Sequence, residues 1–180
     1  FWPPKEFQAS IGALANIRQD HRKMANEAIL CTIQKLRGVN TDTDMERLLN
    51  IALETSNQTL RAFIYLMRMD LGVYFCNWGT AAEILVEAGD LKKVAGGLFG
   101  GIRVVIVQGL ISIHAAQDAQ SIWKRRKWKR KALLAVKQIR SWVQKGAVNI
   151  VHNLYLLTAE LAALEGKHSK AEENYKSAIT

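Results

Sequence analysis

The chain has 180 residues, 49% hydrophobic and 23% charged, with a mean hydropathy of -0.05. That is ample for a buried core and excludes a disordered chain, while two prolines and two cysteines exclude collagen-like and disulfide-framework proteins. The formal charge of +9 is local: ten of the 25 Lys and Arg fall between Trp123 and Lys145 with no acid among them, leaving 15 to face 16 acids elsewhere, which argues against a histone-like or ribosomal type.

Phe1 opens the chain without a signal or transit pattern, and a helical pattern runs uncapped to Thr180, so the sequence reads as a piece of a longer polypeptide. Strand signals are nearly absent. The first apolar series (Ala25, Ala28, Ile29, Thr32, Ile33, Leu36) has helical spacing and stops at Gly38. Thr43 to Glu46 reads as a capping box opening a short helix with Leu48, Leu49, Ala52 and Leu53. Ser56 and Asn57 are caps for a longer helix through Leu60, Phe63, Ile64, Met67, Leu71 and Tyr74. A tight Asn77-Trp78-Gly79 connection leads to a short helix ending at Gly89-Asp90. Leu91 to Ala119 and Trp128 to Gln144 read as a long helix and its shorter partner, joined by a basic connection; Asn149 to Glu165 and Ser169 to Thr180 follow. Short links force consecutive helices antiparallel, so the expected fold is all-α, built of stacked helical hairpins, with units near 7–54, 57–89, 91–145 and 149–180 in one helical domain. Cys31 and Cys76 sit among apolar neighbours and read as two buried thiols of a reducing compartment.

The last hairpin carries a spacing of small and aromatic residues: Tyr155, Ala159, Ala162, Gly166, His168, Ala171, Tyr175 and Ala178. Ala159 and Ala171 suit close helix approach, Gly166 supplies a positive φ at the helix end, and Ser169 with Glu172 reads as a capping box. Tyr175 and Ala178 are expected to face the groove of a following repeat. Trp78, Ala81, Leu85 and Ala88 take the corresponding places in a looser unit, where no glycine matches Gly166. On these residues the chain resembles a tetratricopeptide-like helical-repeat region, of the divergent kind found beside ATPase modules in large multidomain signalling proteins. The resemblance covers 155–178 closely, 64–88 loosely and the rest only in architecture. It implies a right-handed superhelix, a cytoplasmic regulatory or partner-binding arm, binding on the first-helix face, and no active site or cofactor. An apolar face left for a following repeat predicts self-association or poor solubility of the isolated piece, which sedimentation checks.

Chemistry-bearing motifs are poor. His21, His114, His152 and His168 are scattered without metal-ligand spacing, and His114 reads as an inward-facing, hydrogen-bonded residue. Ser10, Ser112 and Ser141 have no recognisable catalytic partners, and Asp42-Thr43-Asp44 reads as capping rather than a calcium loop. The Gly96-Gly97-Leu98-Phe99-Gly100-Gly101 cluster lacks the Gly-Lys-Ser/Thr of a phosphate loop and reads as a smooth packing face. Val94 to Ile113 is long enough to span a bilayer, but Arg103 and Gln108 favour a buried helix.

The basic segment is the one candidate site: Lys124, Arg125, Arg126, Lys127, Lys129, Arg130, Lys131, Lys137 and Arg140. At 100° per residue Trp128, Ala132, Ala135, Val136, Ile139, Trp142 and Val143 form an apolar stripe, with Arg126, Arg130, Lys137 and Arg140 opposite. The charge run alone does not separate a solvated face from a surface for an acidic protein, a neighbouring domain, nucleic acid or anionic lipid. The function expected is a non-enzymatic protein-interaction or regulatory scaffold segment; the alternative is a basic helical nucleic-acid-binding domain using residues 123–145.

Overall fold

The computed structural model describes the backbone of residues 5–91 and 99–179, and the side chains of residues 20, 22–91 and 101–179. The protein is all-α: the described residues form eight α-helices and one turn of 3-10 helix, with no strand. In chain order these are α1 (Lys5–Leu36), α2 (Asp42–Glu54), α3 (Gln58–Tyr74), α4 (Trp78–Ala88), α5 (Phe99–Gln117), α6 (Ile122–Gln144), the 3-10 turn (Val148–Ile150), α7 (Val151–Leu164) and α8 (His168–Ile179). Two compact units divide the chain, Phe1–Met67 and Arg68–Thr180, with the division inside α3. Gly96 and Gly97 of the glycine cluster lie outside the described residues, as do the side chains of Ser10 and His21.

In the first unit, Ala28 and Cys31 of α1 are buried, as are Met45, Leu48, Leu49 and Ala52 of α2. The Thr41 hydroxyl donates to the Cys31 carbonyl at 3.0 Å and is itself buried, which ties the α1–α2 corner. Arg47 pairs with Glu27 across the two helices, and Lys35 with Asp42 at 2.7 Å. The expected capping box does not form: α2 begins at Asp42, so Thr43 lies within its first turn, and Thr41 spends its hydroxyl on the corner rather than on a cap. The apolar series of α1 is covered on one side only, leaving Ile29 42% and Leu36 43% exposed. Leu53 is likewise exposed, whereas Asn57 caps α3 as read, accepting from the Leu60 amide at 3.0 Å.

The second unit is built on α5, α6 and α7. Val105, Ile106 and Ile113 of α5 meet Ala132, Ala135, Val136 and Ile139 of α6 and Ile150, Leu157 and Leu161 of the next segment in one apolar cluster. Gly109 sits where the three helices converge: a Cβ there would lie 2.9 Å from a Leu157 methyl carbon and 3.2 Å from the Ala135 Cβ. The α3–α4 corner closes in the same way, since a Cβ on Gly72 would lie 2.7 Å from that of Ala81. Arg103 turns out to pair with Asp70 of α3 at 2.9 Å. Burial raises the Asp70 pKa, and the Arg103 guanidinium partly offsets this. No helix among the described residues is long and apolar enough to cross a membrane.

Five helix ends share one turn. Residues 36–39, 54–57, 74–77, 144–147 and 164–167 each place the second-last residue at positive φ: Gly38 (87°), Ser56 (51°), Cys76 (53°), Gly146 (98°) and Gly166 (72°). The amide after each of them donates back to the carbonyl five residues earlier, as Asn77 to Gly72 at 2.7 Å and Lys167 to Ala162 at 2.9 Å, which is the Schellman pattern. Cys76 therefore occupies the place of Gly166 in the looser unit. It is exposed for that reason, which corrects the expectation of two buried thiols: Cys31 is buried, Cys76 is not, and both are free.

Candidate functional site

All nine basic candidates lie on α6, and their helix starts six residues earlier than expected, at Ile122 rather than Trp128. The basic connection is thus helical, and Lys124 to Lys127 occupy its first turns. No acid stands in the first turn and Ser121 makes no side-chain cap, so the cations meet the positive end of the helix dipole unrelieved from within the helix. Relief comes from the C-terminal end of α7. Arg125 reaches the Leu164 carbonyl at 3.4 Å, and Lys129 pairs with Glu165 at 2.6 Å. Two further cations lie over indole rings, Lys131 at 4.4 Å from Trp128 and Arg126 at 5.7 Å from Trp123. Burial, with the Lys127 charge nearby, lowers the Lys131 pKa. Lys124, Lys127, Arg130, Lys137 and Arg140 are exposed.

The stripe of α6 faces as its periodicity indicates. Ala132, Ala135, Val136 and Ile139 are buried, and Trp142 and Val143 pack against the same cluster. Leu133 and Leu134, one step off the stripe, remain about half exposed at 49% and 54%.

The structure brings Lys137 and Arg140 to one wall of a groove of about 730 Å³ between α6 and the α7–α8 hairpin. Leu133, Val136, Leu161 and Ala162 give it apolar surface, and Lys167 and Lys170 stand on the α8 side. The one carboxylate lining it, Glu165, is held by Lys129 and by Lys167, each at 2.6 Å. Hydrogen bonds from these two ammonium groups lower its pKa to about 2. Sequence reading missed the α8 wall, because Glu165 to Lys170 was read only as the turn of a repeat. A second, smaller groove of about 440 Å³, with Lys127 and Lys131 on its rim, lies between α4, α5 and α6.

His114 is half-buried, with its ring stacked on Trp78 at 3.7 Å and its Nε2 3.9 Å from a Glu160 oxygen. The other Glu160 oxygen accepts from the Tyr175 hydroxyl at 2.8 Å. Burial, and then this hydrogen bond, push the Tyr175 pKa up to about 12. Tyr175 thus ties α8 to α7 through its hydroxyl. The expected Ser169–Glu172 box is also absent: α8 begins at His168, and Glu172 pairs with Lys176. Ala159 and Ala171 are buried, as their place in the hairpin requires. Among the described residues no group of three His, Cys, Asp or Glu could hold a metal ion. Comparisons with protein-family models, with curated proteins and with solved structures find no match.

Proposed function

We propose that the chain is a non-enzymatic protein-interaction or regulatory scaffold segment of a larger cytoplasmic signalling protein, built from tetratricopeptide-like hairpins. The observation that carries this reading is the groove that α6, α7 and α8 leave open: an apolar floor with cations on both sides. The mechanism would be geometric, with rigid packed helices holding a surface in place for a peptide or a neighbouring domain.

The alternative, nucleic-acid binding through 123–145, asks for cations free to track phosphates and aromatic rings free to stack. Arg125 and Lys129 are spent on the end of α7, and Trp128 lies under Lys131. Affinity capture with the chain, performed with and without nuclease, tests the choice. Protein partners that survive nuclease are expected. Retention of nucleic acid alone, falling steeply with salt and lost on charge reversal of Arg126, Arg130, Lys137 and Arg140, would overturn the proposal.

A further inference from the structure

We infer that the groove between α6 and the α7–α8 hairpin is a docking site for an acidic, amphipathic peptide segment of a partner protein. The inference rests on the scaffold reading above and assigns it a site and a ligand chemistry. Three observations support it. First, the groove is two-sided in charge: Lys137 and Arg140 come from α6 and Lys170 from α8, while Lys167, in the turn before α8, is paired with Glu165, so an inserted chain meets an open cation on each flank. Second, the only lining carboxylate does not repel such a guest. Glu165 is already neutralised by Lys129 and Lys167 and stays ionised within that pair down to about pH 2. Third, the floor is apolar, with Val136, Leu161 and Ala162 fixed by the core and Leu133 left half exposed at its edge. A polyanion without apolar side chains would leave that floor wet, whereas an amphipathic segment covers it. The volume, about 730 Å³, is that of a pocket for a few side chains, not of a seat for a folded domain. The site lies along α6, the second helix of its hairpin.

The test is fluorescence polarisation with the whole chain and a labelled synthetic peptide carrying Leu at i, i+3 and i+4 and Asp or Glu between. Its companions are the same peptide with Leu replaced by Ser, and a single-stranded oligonucleotide. Two charge-matched variants are compared, Lys137→Glu with Arg140→Glu in the groove, and Lys124→Glu with Arg130→Glu outside it. Circular dichroism melts check that both are folded. Should the first pair unfold, Leu133→Ser, at a half-exposed edge, takes its place. The acidic Leu peptide is expected to bind, to weaken about tenfold in the groove variant and less than about twofold in the outer variant, and to need its leucines. Equal weakening in both variants, equal binding of the Ser peptide, oligonucleotide displacing the peptide, or no binding at low salt would each overturn the inference. Capture of nuclease-resistant partners that is unchanged by the groove variant would overturn the site while leaving the scaffold reading in place.

Discussion

Glu165 shows how one residue settles a cluster of like charges. It stands just past the end of α7 and takes Lys129 from α6 and Lys167 from its own turn. Its pKa is lowered from the ordinary 4.5 to about 2, so the pairing contributes stability above about pH 4.5 and loses it as pH falls toward 2. The group is well solvated, which limits the contribution to about 1 kcal/mol or less. Glu165→Gln should therefore lower the urea midpoint slightly at neutral pH and match the wild type near pH 2, read by urea titration across that range. A deficit that persists unchanged at pH 2 would point to packing instead of charge. Gly72 and Gly109 are the other decisive single positions. Alanine favours a helix over glycine by about 1 kcal/mol, but the added Cβ would crowd a neighbour, at about 1–3 kcal/mol. Gly72 meets the Cβ and backbone of Ala81, which have no rotamer to yield, whereas Gly109 meets the methyl ends of Leu157. Gly72→Ala is expected to destabilise more than Gly109→Ala in denaturant melts.

At the scale of the element, the shared turn is the instructive feature. Gly166 and Gly38 were legible as helix stops because glycine takes positive φ without penalty. Ser56 and Cys76 adopt the same conformation without that freedom, so no residue-type signal marked them. Cys76→Gly should then stabilise by up to about 1 kcal/mol, and Gly166→Ala should destabilise by a similar amount, measured as shifts of the denaturation midpoint. If Cys76→Gly destabilises instead, the cysteine makes a contact that outweighs its backbone strain. Caps were the least legible part of the helices. Thr43 and Ser169 have the right residue types, yet chain geometry starts α2 and α8 two residues earlier than caps at those positions would. The stripe of α6 was readable in full, since 3.6-residue periodicity survives whatever packs on it.

At the scale of the second unit, α5, α6 and α7 share one apolar cluster, so a cavity in any of them is felt by all three. Ile139 is fully buried at its centre. Ile139→Ala should cost about 2–5 kcal/mol and raise amide exchange together in α5, α6 and α7. Loss of protection confined to α6 would show that the cluster is not cooperative.

The sequence by itself determined the all-α class, the succession of helices and the buried stripe of α6, because each follows from local spacing and from a few conformationally special residues. It also located the charge. Only the tertiary structure decided what the charge does locally. Neither the approach of Lys129 to Glu165, 36 positions further along, nor the convergence of Lys137 and Arg140 with Lys167 and Lys170 around an apolar floor has any local pattern. Such pairings depend on how far each helix runs and how its neighbours cross it, and those are set by long-range packing.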